Sequence, residues 1–184
     1  MSRYRRARVS GAVYFFTLVT FDRRPFLVEP ESRRLLRQAW QLTHAERPFE
    51  SLALVLLPDH MHCLWQLPEG DGDFSTRWRL IKGRFTVGYA GAGHGLPRSG
   101  PSRARRGEQT VWQRRFWEHL IRDEEDLKRH VDYIHYNPVK HGHAQRAADW
   151  PYSTFPKYVS LGEYSPAWGT VEPESLRGWE PDVE

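Results

Sequence analysis

Hydrophobic and polar positions along the chain fall into short segments of two periods. Residues 13–20 (VYFFTLVT) form an unbroken run of β-branched and aromatic side chains, which predicts a buried strand. Residues 31–46 carry Leu35, Leu36, Ala39, Trp40 and Leu42 at near-helical spacing, with Pro48 just beyond, so an amphipathic helix is predicted there. A second apolar run, 52–57, is followed by the corner Pro58-Asp59 and then by 60–67 (HMHCLWQL), a further strand closed by Pro68-Glu69-Gly70-Asp71-Gly72. Only a tight polar corner separates these two runs, so they are expected to pair as a hairpin. Ser75 reads as the N-cap of a helix over 77–89, weakened by Gly83 and Gly88. Residues 111–122 (VWQRRFWEHLIR) alternate as a strand does. Residues 123–137 read as a helix with acids at its start and Pro138 as its stop.

The resulting order is strand, helix, strand, strand, helix, strand, helix, with no internal repeat. Its first six elements have the βαββαβ order of a ferredoxin-like sandwich, an α+β fold with an antiparallel sheet and helices on one face, here followed by one more helix. Residues 1–140 are read as one domain. Residues 141–184, rich in Trp, Tyr and Pro, are read as an extension that packs on it. Between the middle helix and the next strand, residues 91–109 turn to Gly, Pro, Ser and Arg, which predicts an exposed, mobile, basic loop too long for a simple connector.

Composition narrows the class. A chain of 184 residues that is 39% hydrophobic and 14% aromatic can bury a core and is not a disordered polymer. The net charge is +4 and arginine supplies most of the cations, which suits phosphate recognition, although so small an excess also serves plain solubility. The single cysteine, Cys63, excludes an internal disulfide and a Cys-rich zinc site and agrees with a reducing cytoplasm. The apolar run 12–21 is too short to cross a membrane and no small-residue cleavage site follows it, so no membrane partner is expected.

Three groups of residues carry possible chemistry. In His60-Met61-His62, residues two apart on a strand face the same way with Cα atoms roughly 6.5–7 Å apart, so both imidazoles can reach one ion. A pair of hydrogen-bonded histidines on the sheet surface is the competing reading. On the last helix, Tyr133 and Asn137 are four apart and share a face, with His130 on the same side, while Asp132 and Tyr136 form a second pair turned away. A tyrosine hydroxyl, with a pKa of about 10, becomes a competent nucleophile beside a cation or base. Most helical tyrosines simply pack their rings. Lastly, arginines interleave with aromatic residues at Arg3, Tyr4, Arg5 and Arg6, at Arg77, Trp78, Arg79, Lys82 and Arg84, and at Arg114 and Arg115. That mixture suits unpaired or hairpin nucleic acid, or else is a solvated face over buried rings. No P-loop, dinucleotide fingerprint, Cys-x-x-Cys, zinc-deaminase pattern or serine nucleophile elbow occurs.

Taken together, Leu57-Pro58-Asp59-His60-Met61-His62-Cys63-Leu64-Trp65, Phe116-Trp117-Glu118-His119, the run from Val131 to Gly142 and Trp150-Pro151-Tyr152-Ser153-Thr154-Phe155 resemble the REP-associated tyrosine transposases. These are relatives of the single-tyrosine insertion-sequence transposases within the HUH endonuclease superfamily. The resemblance spans about Tyr4 to Tyr158 in order and spacing. It implies that His60 and His62 are metal ligands with Asn137 completing the site, that Tyr133 is the nucleophile, with Tyr136 as the rival, and that the ion is Mg2+ or Mn2+. It implies a metal-dependent single-strand DNA endonuclease and strand transferase acting on REP-type hairpins through a 5′-phosphotyrosine, on the nucleoid, with a monomer expected and a dimer left open. A non-cleaving hairpin-binding protein and an RNA-binding ferredoxin-like domain are the alternatives. The 91–109 loop, longer and more basic than the resemblance leads one to expect, is the main departure.

Overall fold

A computed structural model describes residues 9–97, 100, 105 and 110–181. Arg3, Tyr4, Arg5 and Arg6, and most of the predicted basic loop, lie outside the described residues. The secondary structure runs β1 (Val13–Val19), α1 (Pro30–Glu46), β2 (Glu50–Leu56), β3 (His60–Gln66), α2 (Phe74–Gly91), β4 (Trp117–Leu120), α3 (Glu124–Lys140) and α4 (Phe155–Ser160). The four strands form one antiparallel sheet in the order β2-β3-β1-β4, the order a ferredoxin-like βαββαβ chain produces.

Strand alternation gives the sheet two unlike faces. Tyr14, Phe16 and Leu18 of β1 and Met61, Cys63 and Trp65 of β3 turn toward α1 and α2 and join Leu35, Leu36, Trp78, Ile81 and Phe85 in one core. Trp65 stacks on Trp78 at 4.0 Å between ring centres and lies 4.1 Å from Phe49. Phe15, Ala53, Val55 and Leu64 turn the other way, against Val131, Tyr133 and Ile134 of α3. The two crossover helices thus lie on one face, and the additional helix covers the other.

Several boundaries differ from the sequence reading, each for a local reason. The middle helix begins at Phe74 and its cap is Asp73, not Ser75, because the Asp73 carboxylate accepts the Thr76 amide at 3.1 Å. Gly88 falls where α1 comes close, and a Cβ there would lie 2.7 Å from Leu35 Cδ2. The alternating run 111–122 yields only four paired residues, Trp117–Leu120. Upstream of these the chain meets β1's end through the Thr20–Trp112 bridge, in which the Phe21 amide donates to Val111 and the Gln113 amide to Val19. The last helix is capped by Asp123 and does not stop at Pro138; it continues to Lys140. A proline there leaves the Ile134 carbonyl without its helical donor but does not prevent the last turn, which His141 closes by donating to Asn137.

The tail is tied to the edge of the sheet. Leu56 donates to Tyr152, Thr154 donates to Leu54, and Trp150 Nε1 donates to the Leu56 carbonyl at 2.9 Å. These bonds occupy polar groups that an edge strand otherwise leaves open. Tyr164 and Ser175 donate to the two oxygens of Asp132, at 2.5 and 2.6 Å, and so hold the outer side of α3. Among the described residues no helix is long and apolar enough to cross a membrane.

Candidate active site

On the α3 face, register places Thr17 opposite His62, Phe15 opposite both Leu64 and His119, and Val19 opposite His60. The two histidines lie side by side with ring centres 4.9 Å apart. Two imidazoles bound to one ion at about 2.1 Å have centres roughly 4.5–5 Å apart, so the pair is already spaced for a shared ion. His60 and His62 are 4% and 1% exposed, Tyr133 is 2% and Asn137 is fully buried. The Tyr133 ring lies 5.2 Å from that of His62, and the Lys140 ammonium sits 5.1 Å from the Tyr133 ring centre. Tyr133, Asn137 and Lys140 follow a spacing of four and then three, which puts them along one side of α3. Lys140 reaches this position only because the helix passes through Pro138.

Hydrogen bonds fix how each imidazole presents its nitrogens. His60 Nδ1 lies 2.6 Å from Asp59 Oδ1, and a carboxylate can only accept there, so Nδ1 donates and Nε2 is the nitrogen left for a ligand. Burial raises the Asp59 carboxyl, but the His60 and Arg23 hydrogen bonds outweigh it and hold the group at about 2. Arg23 pairs with Asp59 at 3.2 Å and is itself left-handed, with φ 48°, beside Asp22 at φ 55°. Two non-glycine residues in that region are strained, and Thr20 ties the turn down by bonding both Arg24 and Asp59. His62 Nδ1 lies 2.8 Å from Thr17 Oγ1. Burial above all, then the nearby His60, His141 and Lys140, pushes His62 well below its ordinary value, so it is a neutral donor of electrons at physiological pH.

The strongest sign of a ligand is what these groups leave unmade. His62 Nε2 and both amide atoms of Asn137 are buried with no hydrogen-bond partner among the described residues. A buried amide costs about 1–3 kcal/mol when unsatisfied. A side chain with that cost on a face where leucine would pack fits a site meant to hold an ion, and imidazole with amide oxygen is a donor set that Mn2+ or Mg2+ accepts.

A His/Asp cluster able to coordinate a divalent metal stands beside this pair. Ligand atoms of His119, Asp126 and His130 lie within 4.8 Å of one another. Sequence reasoning assigned no metal role to His119, Asp126 or Asp59, nor to Thr17 and Lys140. Asp59 was findable as the neighbour of His60; Thr17 and His119 meet their partners only through strand register.

The remaining sequence candidates scatter. Tyr136 turns toward the tail, where Gly169 approaches its ring and burial together with Glu172 raises its hydroxyl. Arg77 and Trp78 are not DNA contacts: both are buried, Trp78 in the core, while Arg77 donates to the Arg47, Pro48 and Asp73 carbonyls and pairs with Asp71 at 2.8 Å. An arginine whose donors are already taken inside the fold cannot also grip a phosphate. Arg79 is exposed, Lys82 donates to the Gln113 carbonyl, and Arg84 pairs with Glu46 at 2.6 Å, all on the helix that covers the opposite face. Arg114 and Arg115 are exposed just before β4, beside Gln113, which bonds Val19 at the His60 end of β1.

Comparison with known proteins agrees with this geometry. The chain is 45% identical over 168 residues to an Escherichia coli REP-associated tyrosine transposase, covering 91% of each. It is 43% identical over 183 residues to a Haemophilus influenzae protein assigned to the same group, covering 97% of this chain and 99% of that protein. A solved structure of a REP-associated tyrosine transposase bound to a REP hairpin superposes with a TM-score of 0.76 at 41% identity, over 95% of this chain and 96% of that one. No family model matches the chain.

Proposed function

The chain belongs to the REP-associated tyrosine transposases, and from that premise we propose that it binds REP-type DNA hairpins and cuts single-stranded DNA beside them through Tyr133. The observation that carries the reading is the pairing of His60 and His62 with the unsatisfied Asn137 amide next to the Tyr133 ring. His60, His62 and Asn137 would hold a divalent ion, Mg2+ or Mn2+, which when bound would supply Lewis-acid polarisation of the scissile phosphate.

The chain's own residues account for the rest. Asp59 and Thr17 engage the Nδ1 atoms of the two rings, which leaves their Nε2 atoms as the nitrogens available to a ligand. The Tyr133 oxygen attacks phosphorus as its proton leaves, the bond from phosphorus to the 3′ oxygen breaks, and that oxygen departs protonated as a 3′-hydroxyl. The Lys140 ammonium, paired with Glu180 at 2.9 Å, lies over the Tyr133 ring and packs against the attacking side chain. Because one phosphoester replaces another, the same tyrosine link can be reversed by a 3′-hydroxyl, which rejoins strands without ATP. Arg114 and Arg115, exposed near the His60 end of the sheet, are suited to the DNA backbone there. Such a substrate puts the protein's place of work on the nucleoid, in the cytoplasm.

The test uses a 3′-end-labelled REP hairpin with flanking single strand, incubated with protein and Mn2+. The downstream fragment is expected to remain covalently attached to protein. Tyr133→Phe is expected to abolish that adduct, a loss on the order of 10⁴-fold or more for removal of a nucleophile. An adduct that survives Tyr133→Phe overturns the assignment.

A further inference from the structure

We propose that His119, Asp126 and His130 form a second divalent-metal site, distinct from the His60–His62 centre, which takes a transition-metal ion of the Zn2+ type and pins the start of α3 to β4. His119 comes from β4, and Asp126 and His130 come from the first turns of α3, four residues apart and therefore stacked toward the strand. The centres of the His119 and His130 rings are 4.7 Å apart, within the same spacing that suits His60 and His62 to one ion. His119 Nε2 lies 2.8 Å from Asp126 Oδ2, and His130 Nδ1 lies 3.1 Å from Asp126 Oδ1.

The cluster is built, not incidental. The Asp126 carboxylate also accepts the Arg122 amide at 3.0 Å, and the Asp126 amide is held by Asp123, so the central ligand is fixed. The His130 side chain is 1% exposed, and its Nε2 is buried without a partner among the described residues. Its Nδ1 also meets the Asp126 carbonyl at 2.8 Å. When an ion takes Nδ1, the ring proton moves to the idle Nε2; His119 shifts its proton to Nδ1 likewise, so both rings stay neutral. Side chains of His119 and Asp126 are 22% and 16% exposed, which leaves a route in and room for water as a further ligand. Two imidazoles and one carboxylate with an open position are a zinc-type set, whereas Mg2+ favours oxygen ligands.

Phe15 separates this cluster from the first. Its ring lies 5.4 Å from that of His62 on one side and 4.7 Å from that of His130 on the other, and Trp179 closes over His130 at 4.9 Å. An ion here is set apart from the His60–His62 pair by the Phe15 ring. It fixes the helix that carries Tyr133 and Asn137 further along.

The test counts ions. Chelator-stripped full-length protein is titrated with Zn2+ by calorimetry, with elemental analysis after desalting, for the wild type, the His60→Ala/His62→Ala variant and that variant carrying His119→Gln. Two Zn2+ per chain are expected for the wild type, one for the double variant and none once His119→Gln is added, with Mg2+ in large excess failing to displace the remaining Zn2+. The side-chain amide that His119→Gln introduces can still donate to Asp126, so the thermal midpoint in EDTA is expected to stay put; Asp126→Asn gives a second route to the same loss. A single Zn2+ in the wild type that vanishes with His60 and His62, or a count untouched by His119→Gln, overturns the proposal. Neither result bears on the Tyr133 adduct, so the two readings fail separately.

Discussion

The two faces of the sheet come from the same strands yet are made for different ends. Toward α1 and α2, β3 presents Met61, Cys63 and Trp65, and the surrounding core consists of aliphatic and aromatic groups. Toward α3, the alternate residues His60 and His62 join Thr17, His119, His130 and Asn137, all of them polar and all but His119 buried. The apolar face has unpaired polar atoms too, the indole nitrogens of Trp65 and Trp78, but an indole N–H only donates and cannot hold a cation. Both faces carry an apolar core, but only the α3 face interleaves it with buried polar side chains, the arrangement expected where some stability is given up for chemistry.

The first way to test that division is Trp65→Ala. Trp65 is fully buried against Trp78, Phe49, Phe16 and Trp40, so truncation is expected to cost about 3–5 kcal/mol in urea unfolding, enough to unfold a marginal domain. Tyr133→Phe, by contrast, is expected to leave the unfolding midpoint almost unchanged while removing the adduct. If the two variants lost stability alike, the division between faces would be wrong.

Acid supplies the next contrast, because the buried histidines sit on the α3 side. Burial holds His130 at about 4 and His135, beside Thr154, at about 3, and pushes His62 down as well. In the unfolded chain each takes a proton near pH 6.5, so below that pH the unfolded state binds more protons than the folded one. Stability is thus fully present above pH 6.5 and is lost as pH falls toward 4, at about 1.4 kcal/mol per pH unit for each such histidine. Asp59 works in a lower window, since its depressed carboxyl contributes above its unfolded value near 3.9 and stops contributing only as pH falls through about 2. Urea midpoints between pH 7 and 4.5 are expected to fall steeply, and His135→Phe is expected to flatten the slope by about one proton.

A smaller effect tests how the histidines are held. Asp59→Ala removes the acceptor that fixes the His60 proton on Nδ1, and loss of such a partner typically weakens an ion site by about 10–100-fold. Mn2+ affinity measured by calorimetry or by electron spin resonance checks it. Unchanged affinity would mean that strand geometry alone orients the ring.

Much of this was legible in the sequence, and the part that was not has a common cause. The short apolar runs bounded by turn residues pointed to β1 and the β2–β3 hairpin, and the two-residue spacing of His60 and His62 led directly to a shared face. The spacing of Tyr133 and Asn137 did the same for α3. Arg77 is misread from sequence because charge predicts exposure only on average, and here four carbonyl and carboxylate partners inside the fold accept its protons. Pro138 is misread as a stop because a proline is compatible with a helix when the turn after it is short and closed by other amides. Thr17, His119 and Phe15 escape notice because only register, a long-range property, brings them beside α3.

Asn137→Leu is the smallest of the expected effects and the most pointed. The side chain is fully buried, it branches as leucine does with the same number of heavy atoms, and neither amide atom has a partner among the described residues. Replacing an unsatisfied amide by an apolar group of the same shape should raise the stability of ion-free protein by about 1 kcal/mol. The same change removes the amide oxygen proposed as an ion ligand, so added Mn2+ should stabilise the wild type more than the variant, and the order of their thermal midpoints should narrow or reverse as the ion is titrated in. A core residue without a ligand role would show no such crossing. If Asn137→Leu destabilises the ion-free protein instead, the amide is satisfied in solution and the cost attributed to this face does not arise at Asn137.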